Sequence, residues 1–183
     1  YFTYRYVIRN FDINVVYPSW WIVFIGITMC AITAHVHGLN EIGFYFFIFG
    51  FVAMIVTLPL VVYRYLKYPN KLDQNKPLIC IFTAIFSILI VGYTNSANVI
   101  SMEFLLGLYL TAFVFFIFAL IKVIEYRNLD FYPSYSAFTF PFVITAIAST
   151  EVSKIINYDS LNILILIQTI IAVILVVYVS YNY

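Results

Sequence analysis

Six long stretches of this chain carry no charged residue, and between them they set out its architecture. No Lys, Arg, Asp or Glu occurs in the 28 residues between Asp12 and Glu41, the 22 between Glu41 and Arg64, or the 26 between Lys76 and Glu103. The same holds for the 18 between Glu103 and Lys122, the 20 between Asp130 and Glu151, and the 24 after Asp159. A helix needs about 20 predominantly apolar residues to cross the hydrocarbon core of a bilayer. The pattern therefore predicts six transmembrane helices, over residues 18–37, 43–65, 77–96, 102–122, 133–153 and 160–181. Pro18 and Pro77 stand at the start of the first and third windows, where a missing N–H would have no helical partner anyway. Residues 1–16, which mix aromatics with Arg5 and Arg9, predict a short segment at headgroup level.

The windows alternate in character. The first holds Gly26, Thr28, Cys30, Ala31, Thr33 and Ala34, and the third holds Thr83, Ala84, Ser87, Gly92 and Thr94. The fifth, PSYSAFTFPFVITAIASTEVSK from Pro133, is the most polar of all, whereas the second, fourth and sixth are bulky and apolar. The loops inside each successive pair are short. This predicts an all-α, polytopic fold of three hairpins, each with one inward helix and one facing lipid. A plainer reading stays open: small residues also let membrane helices pack closely without enclosing anything. A single transmembrane domain over residues 1–183 follows, and since the chain begins on Tyr1 rather than Met it is expected to be a segment of a longer one.

Composition agrees. Hydrophobic residues make up 64% of the chain and charged ones 9%, with a mean hydropathy of +1.01; soluble domains carry roughly 25% charged residues. The cations are sided. Arg5, Arg9, Arg64, Lys67, Lys71, Lys76, Lys122 and Arg127 fall on one side of the windows and Lys154 alone on the other, which predicts both termini in the cytoplasm. With a net charge of +1, nothing points to a nucleic-acid partner. No charged side chain lies deep in a window, so the marks of proton relays and ion-coupled pumps are missing. His35 and His37 read as exposed residues at a helix end, and Glu151 with Lys154 as an exposed pair one turn apart. Cys30 and Cys80 read as small buried residues. No phosphate-cradling loop, paired carboxylates or activated nucleophile is present, so the chain is not expected to be an enzyme, nor to hold a metal or cofactor.

The fifth window, SYSAFTFPFVITAIAST, with its aromatic residues around Ala137, Thr139, Phe140 and Pro141, resembles the signature of the tellurite-resistance/dicarboxylate transporter family. That family takes in bacterial tellurite-resistance proteins, plant slow anion channels and fungal malate and sulfite transporters. YPSWWIVFIGI in the first window and LPLVVYRYLKYP at the end of the second add weaker support. The resemblance implies a ten-helix, five-hairpin fold in which odd helices line a central pore and even ones form an outer layer. This chain resembles the last three hairpins. It further implies transport of anions, such as C4-dicarboxylates like malate, tellurite, sulfite or small inorganic anions, in the plasma membrane, with a homotrimer as the expected assembly.

By the same resemblance Phe140 projects into the pore as a gate and Pro141 supplies the kink that places it. The hydroxyls of the odd helices, Thr28, Thr83, Ser87, Ser136, Thr139 and Thr145, become pore-lining candidates. A wall of hydroxyls without fixed charge lets an anion pass without trapping it. Two other readings remain: an ion-coupled exporter of the same family, and a membrane scaffold subunit that transports nothing. A membrane-bound redox protein is a third.

Overall fold

Five helical runs are long and apolar enough to cross a bilayer: Asn40–Lys67, Asp73–Ser96, Met102–Tyr126, Pro133–Ile156 and Leu161–Asn182. The computed structural model describes residues 1–68 and 72–183, and among them every regular element is helical. Lys71, one of the sided cations, lies outside the described residues.

The window at 18–37, expected as one helix, is built in pieces. Helix α1 (Trp20–Phe24) passes through a 3₁₀ turn at Gly26–Thr28 into α2 (Met29–Ala34), and a second 3₁₀ turn follows at His35–His37. The backbone stays right-handed at each junction, with φ/ψ of −90°/−23° at Ile25, −60°/−18° at Thr28 and −59°/−35° at Ala34. The path is thus a single rod that switches hydrogen-bond pattern. Because a 3₁₀ turn rises about 2.0 Å per residue against 1.5 Å in an α-helix, Trp20–His37 reaches roughly 30 Å, the thickness of the hydrocarbon core. That length is what a sixth span would need. Gly38, at φ 68°, ends it in the left-handed conformation that glycine adopts at low cost.

Four long helices and one broken one complete the bundle: α3 (Asn40–Lys67), α4 (Ile81–Ser96), α5 (Met102–Tyr126), α6 (Phe140–Ile156) and α7 (Leu161–Asn182). A 3₁₀ turn at Pro77–Cys80 leads into α4 and another at Pro133–Phe138 leads toward α6. Asn157, at φ 53°, closes α6, a left-handed role that asparagine tolerates. The odd/even alternation shows in burial at the third span and less at the fifth, which is 44% buried, but not at the first, where Ile22, Val23, Met29 and Cys30 are exposed. The third span, Asp73–Ser96, is 83% buried inside the protein, against between 22% and 33% of the three even spans. Helix α4 is the axis of the bundle, packed against α2, α3, α5 and α6.

Lipid tails are as apolar as leucine, so packing rather than the hydrophobic effect joins these helices. The contacts are aromatic and close. Phe86 stacks on Phe115 at 5.2 Å between ring centroids, and Trp21 meets Phe82 edge-on at 4.6 Å. Where bulk would not fit, glycine stands. Thr28 is wedged between Gly50 of α3 and Gly92 of α4. A Cβ on Gly50 would lie 2.0 Å from the Thr28 Oγ1, and one on Gly92 2.4 Å from its Cγ2.

Two residues depart from their sequence reading. Cys80 is buried as expected, but Cys30 is exposed, since the mixed helix turns that position away from α3 and α4. Arg64 is no loop-end charge: it is 4% exposed, with its guanidinium 4.3 Å from the Tyr17 ring centroid and 5.0 Å from that of Tyr65. Its Nη2 donates to the Asn14 carbonyl at 3.3 Å. A flat, weakly hydrated cation is the one basic group that suits such a stack.

Candidate functional site

The fifth span, Pro133–Ile156 (helix five), cannot run straight through its polar centre. Proline lacks an N–H and its ring collides with the carbonyl four residues back, and it pushes the preceding residue out of helical geometry. The chain resolves this by breaking one residue ahead of Phe140. Thr139 has φ −94° and ψ −84°, its N–H and Oγ1 both donate to the Ser136 carbonyl at 3.1 and 2.7 Å, and α6 starts afresh at Phe140. Pro141 therefore occupies the first turn of a new helix, where its missing N–H costs little. It is not the centre of a kink within one, which corrects the sequence expectation.

The break decides where four aromatics point. Tyr135 is fully buried, its hydroxyl donating to the carbonyls of Tyr126 and Leu129 at 2.6 and 3.2 Å. Phe138 packs on Tyr135 at 4.9 Å, and Phe142 meets Phe116 of α5 at 5.8 Å. Phe140 alone is turned out, at 46% exposure against 0–1% for Tyr135, Phe138 and Phe142.

It faces a cavity of about 500 Å³. One wall is the rod Trp20–His37 (helix one), with Trp21, Ile22, Gly26 and Met29. The second is the third span, with Ile81, Ala84, Ile85 and Ile88. The last is the break itself, with Ser136, Ala137, Phe140 and Pro141. No residue of the lining comes from α3, α5 or α7, and none is charged. The three helices that sequence patterning marked as inward are the three that meet here.

Of the hydroxyls singled out from sequence, Ser136 lines this cavity, while Thr139 is spent on the Ser136 carbonyl beside it. Thr28, Thr83, Ser87 and Thr145 are absent from its lining and sit in helix seams at 0–2% exposure. Three of them form one cluster between α4 and α6. The Ser87 and Thr145 hydroxyls lie 2.9 Å apart, and those of Thr83 and Thr145 lie 3.3 Å apart. Ser87 also reaches the Thr83 carbonyl, and Thr145 the Pro141 carbonyl at 2.8 Å. A turn further along α6, the Tyr109 hydroxyl donates to Ser149 at 3.2 Å. In lipid such contacts join helices where water cannot compete, and this set ties α6 to the bundle immediately beyond the break. Sequence could flag the polarity of these positions but not its direction: a threonine facing a lumen and one facing a neighbouring helix look alike in a single chain.

At the helix ends away from the cluster of cations, His35, His37 and Glu103 are exposed, and Lys154 donates to Glu151 at 2.8 Å. Among the described residues no three His, Cys, Asp or Glu side chains converge.

The family model SLAC1, described as voltage-dependent anion channel, matches the chain over residues 1–183. No curated protein and no solved structure matches.

Proposed function

The chain belongs to the SLAC1 family of voltage-dependent anion channels, and we propose that the cavity between its three odd helices is a wall of the anion path, with Phe140 as its gate. The observation that carries this reading is the position of Phe140: it is the one outward-turned aromatic of the helix-five break, in a cavity lined by odd helices alone. A phenyl ring in an uncharged, apolar passage obstructs an ion in two ways, by filling the cross-section and by keeping the constriction dry.

What passes when the ring moves aside is set by the same wall. No carboxylate repels an anion, and no Lys or Arg holds it. Helix α6 begins at Phe140, so the positive end of its dipole lies against the cavity. The edge of the Phe140 ring, also electropositive, adds to that bias. Weak attraction without a deep trap is what conduction requires. The buried cluster of Thr83, Ser87 and Thr145 acts one layer back, holding the break in register. The substrates proposed are those of the resemblance: malate and other C4-dicarboxylates, tellurite, sulfite or small inorganic anions. The setting proposed is a homotrimer in the plasma membrane with the ends of this segment cytoplasmic, in keeping with the sided cations.

The test is flux through the intact protein in liposomes loaded with chloride, nitrate or malate. Downhill efflux above that of protein-free vesicles, unchanged by an imposed proton gradient, is the expected result. Efflux that follows the proton gradient would favour the coupled exporter, and no efflux for any of the three anions would favour the scaffold.

A further inference from the structure

The N-terminal segment carries two cations that the anion path does not use. Arg5 and Arg9 lie on a π-helical turn at Thr3–Arg9, one turn apart and on the same side of it. Among the described residues neither forms an ion pair: the three salt bridges are Lys76–Asp73, Lys122–Glu125 and Lys154–Glu151. The one acid of the segment, Asp12, accepts from the Asn14 backbone N–H and side-chain amide, both at 2.9 Å. The arginines are held by tyrosines instead. The Arg5 guanidinium lies 5.7 Å from the Tyr6 centroid, and that of Arg9 lies 5.5 Å from the Tyr4 centroid. Arg5 also donates through Nη1 to the Tyr1 hydroxyl. A guanidinium carries five N–H donors in a flat fork, so a ring against its face and one neutral hydroxyl leave donors over for a phosphate acceptor. With Tyr1, Tyr4 and Asn10 the two arginines line a cleft of about 310 Å³.

The same segment displays apolar side chains that no other described residue covers. Tyr4, Ile8, Phe11 and Val15 are exposed, Ile8 at 70%. Its other side is fixed to the start of helix one. Phe2 packs edge-on against Trp20 and Phe24 at 5.3 and 6.0 Å, and the Trp20 Nε1 donates to the Val15 carbonyl at 3.1 Å. A clamped segment with bare apolar side chains beside uncompensated arginines matches the layer where acyl chains give way to headgroups.

We propose that residues 1–16 form a binding site for an anionic phospholipid, whose phosphodiester is held between Arg5 and Arg9 while Tyr4, Ile8 and Phe11 enter the acyl boundary. The site rests on the chain spanning a membrane and not on anion conduction. It also lies at the foot of helix one, which forms a wall of the cavity.

The experiment is native mass spectrometry of the intact protein from nanodiscs of phosphatidylcholine containing phosphatidylglycerol. The wild type is expected to retain phosphatidylglycerol over phosphatidylcholine. Arg5→Gln with Arg9→Gln is expected to lower that preference on the order of tenfold, and Arg5→Lys with Arg9→Lys to lower it by less, since the charge stays while the flat fork is lost. Equal retention by the Gln pair would overturn the proposal. Millimolar inorganic phosphate displacing the bound lipid would also overturn it, because the cleft would then be a site for the free anion.

Discussion

Phe140→Ala raises anion flux through the reconstituted protein on the order of tenfold, the effect of lowering a barrier by about 1.4 kcal/mol. The size follows from what the ring does and does not touch. At 46% exposure it makes few packing contacts, so removing it opens the passage without a cavity penalty in the core. The neighbouring Phe142 supplies the contrast. It is fully buried against Phe116, and Phe142→Ala is expected to destabilise the protein by about 3–5 kcal/mol while leaving flux per folded molecule near that of the wild type. Flux in proteoliposomes and thermal unfolding, measured on both variants, separate the two roles. A Phe140→Ala protein that conducts like the wild type removes the gate.

The second large effect is on stability, at the three-helix contact around Thr28. Gly92→Ala places a methyl 2.4 Å from the Thr28 Cγ2, and overpacking of this kind costs about 1–3 kcal/mol. The remedy is specific. Thr28→Ser deletes Cγ2, after which the nearest atom to the new methyl is the Ala31 Cβ at 3.6 Å, an ordinary contact. The double variant is therefore expected to unfold close to the wild-type temperature. Gly50→Ala behaves differently, because it meets the Thr28 hydroxyl at 2.0 Å and the Thr28 Cβ at 3.3 Å. Thr28→Ser leaves that clash in place, and Thr28→Ala relieves it only in part. Melting curves of the single and double variants check the geometry, and equal rescue of both glycine variants by Thr28→Ser would contradict it.

These two sites mark how far the sequence could be read. Charge-free windows give the crossings, since leaving a charge in the hydrocarbon is costly at any packing arrangement. The alternation of small and bulky helices marks the extremes of burial: α4 lies at the axis, and α7 carries exposed Ile163, Leu166 and Ile170. Finer features depend on neighbours that one chain does not display. The 3₁₀ turn at Gly26–Thr28 lies where Thr28 must fit between two glycines far away in sequence. The break at Thr139 rather than at Pro141 depends on which carbonyls its hydroxyl and N–H can reach. Thr83, Ser87 and Thr145 were legible as polar positions, but whether they face a lumen or a seam is decided by helix rotation. Arg64 was legible as a cation and not as a buried one, for its cover comes from Tyr17, 47 residues earlier in the sequence.

The most direct measurement places a thiol where the ring is. Phe140→Cys, made with Cys30→Ser because Cys30 is the exposed native thiol and Cys80 is buried, is treated with a small anionic sulfonated thiol reagent during efflux. If the cavity is the anion path, this variant conducts faster than the wild type until the reagent reacts. Flux then falls toward that of protein-free vesicles, and a permeant anion in excess slows the reaction. Flux that is unchanged after the introduced thiol has been fully modified would contradict the account.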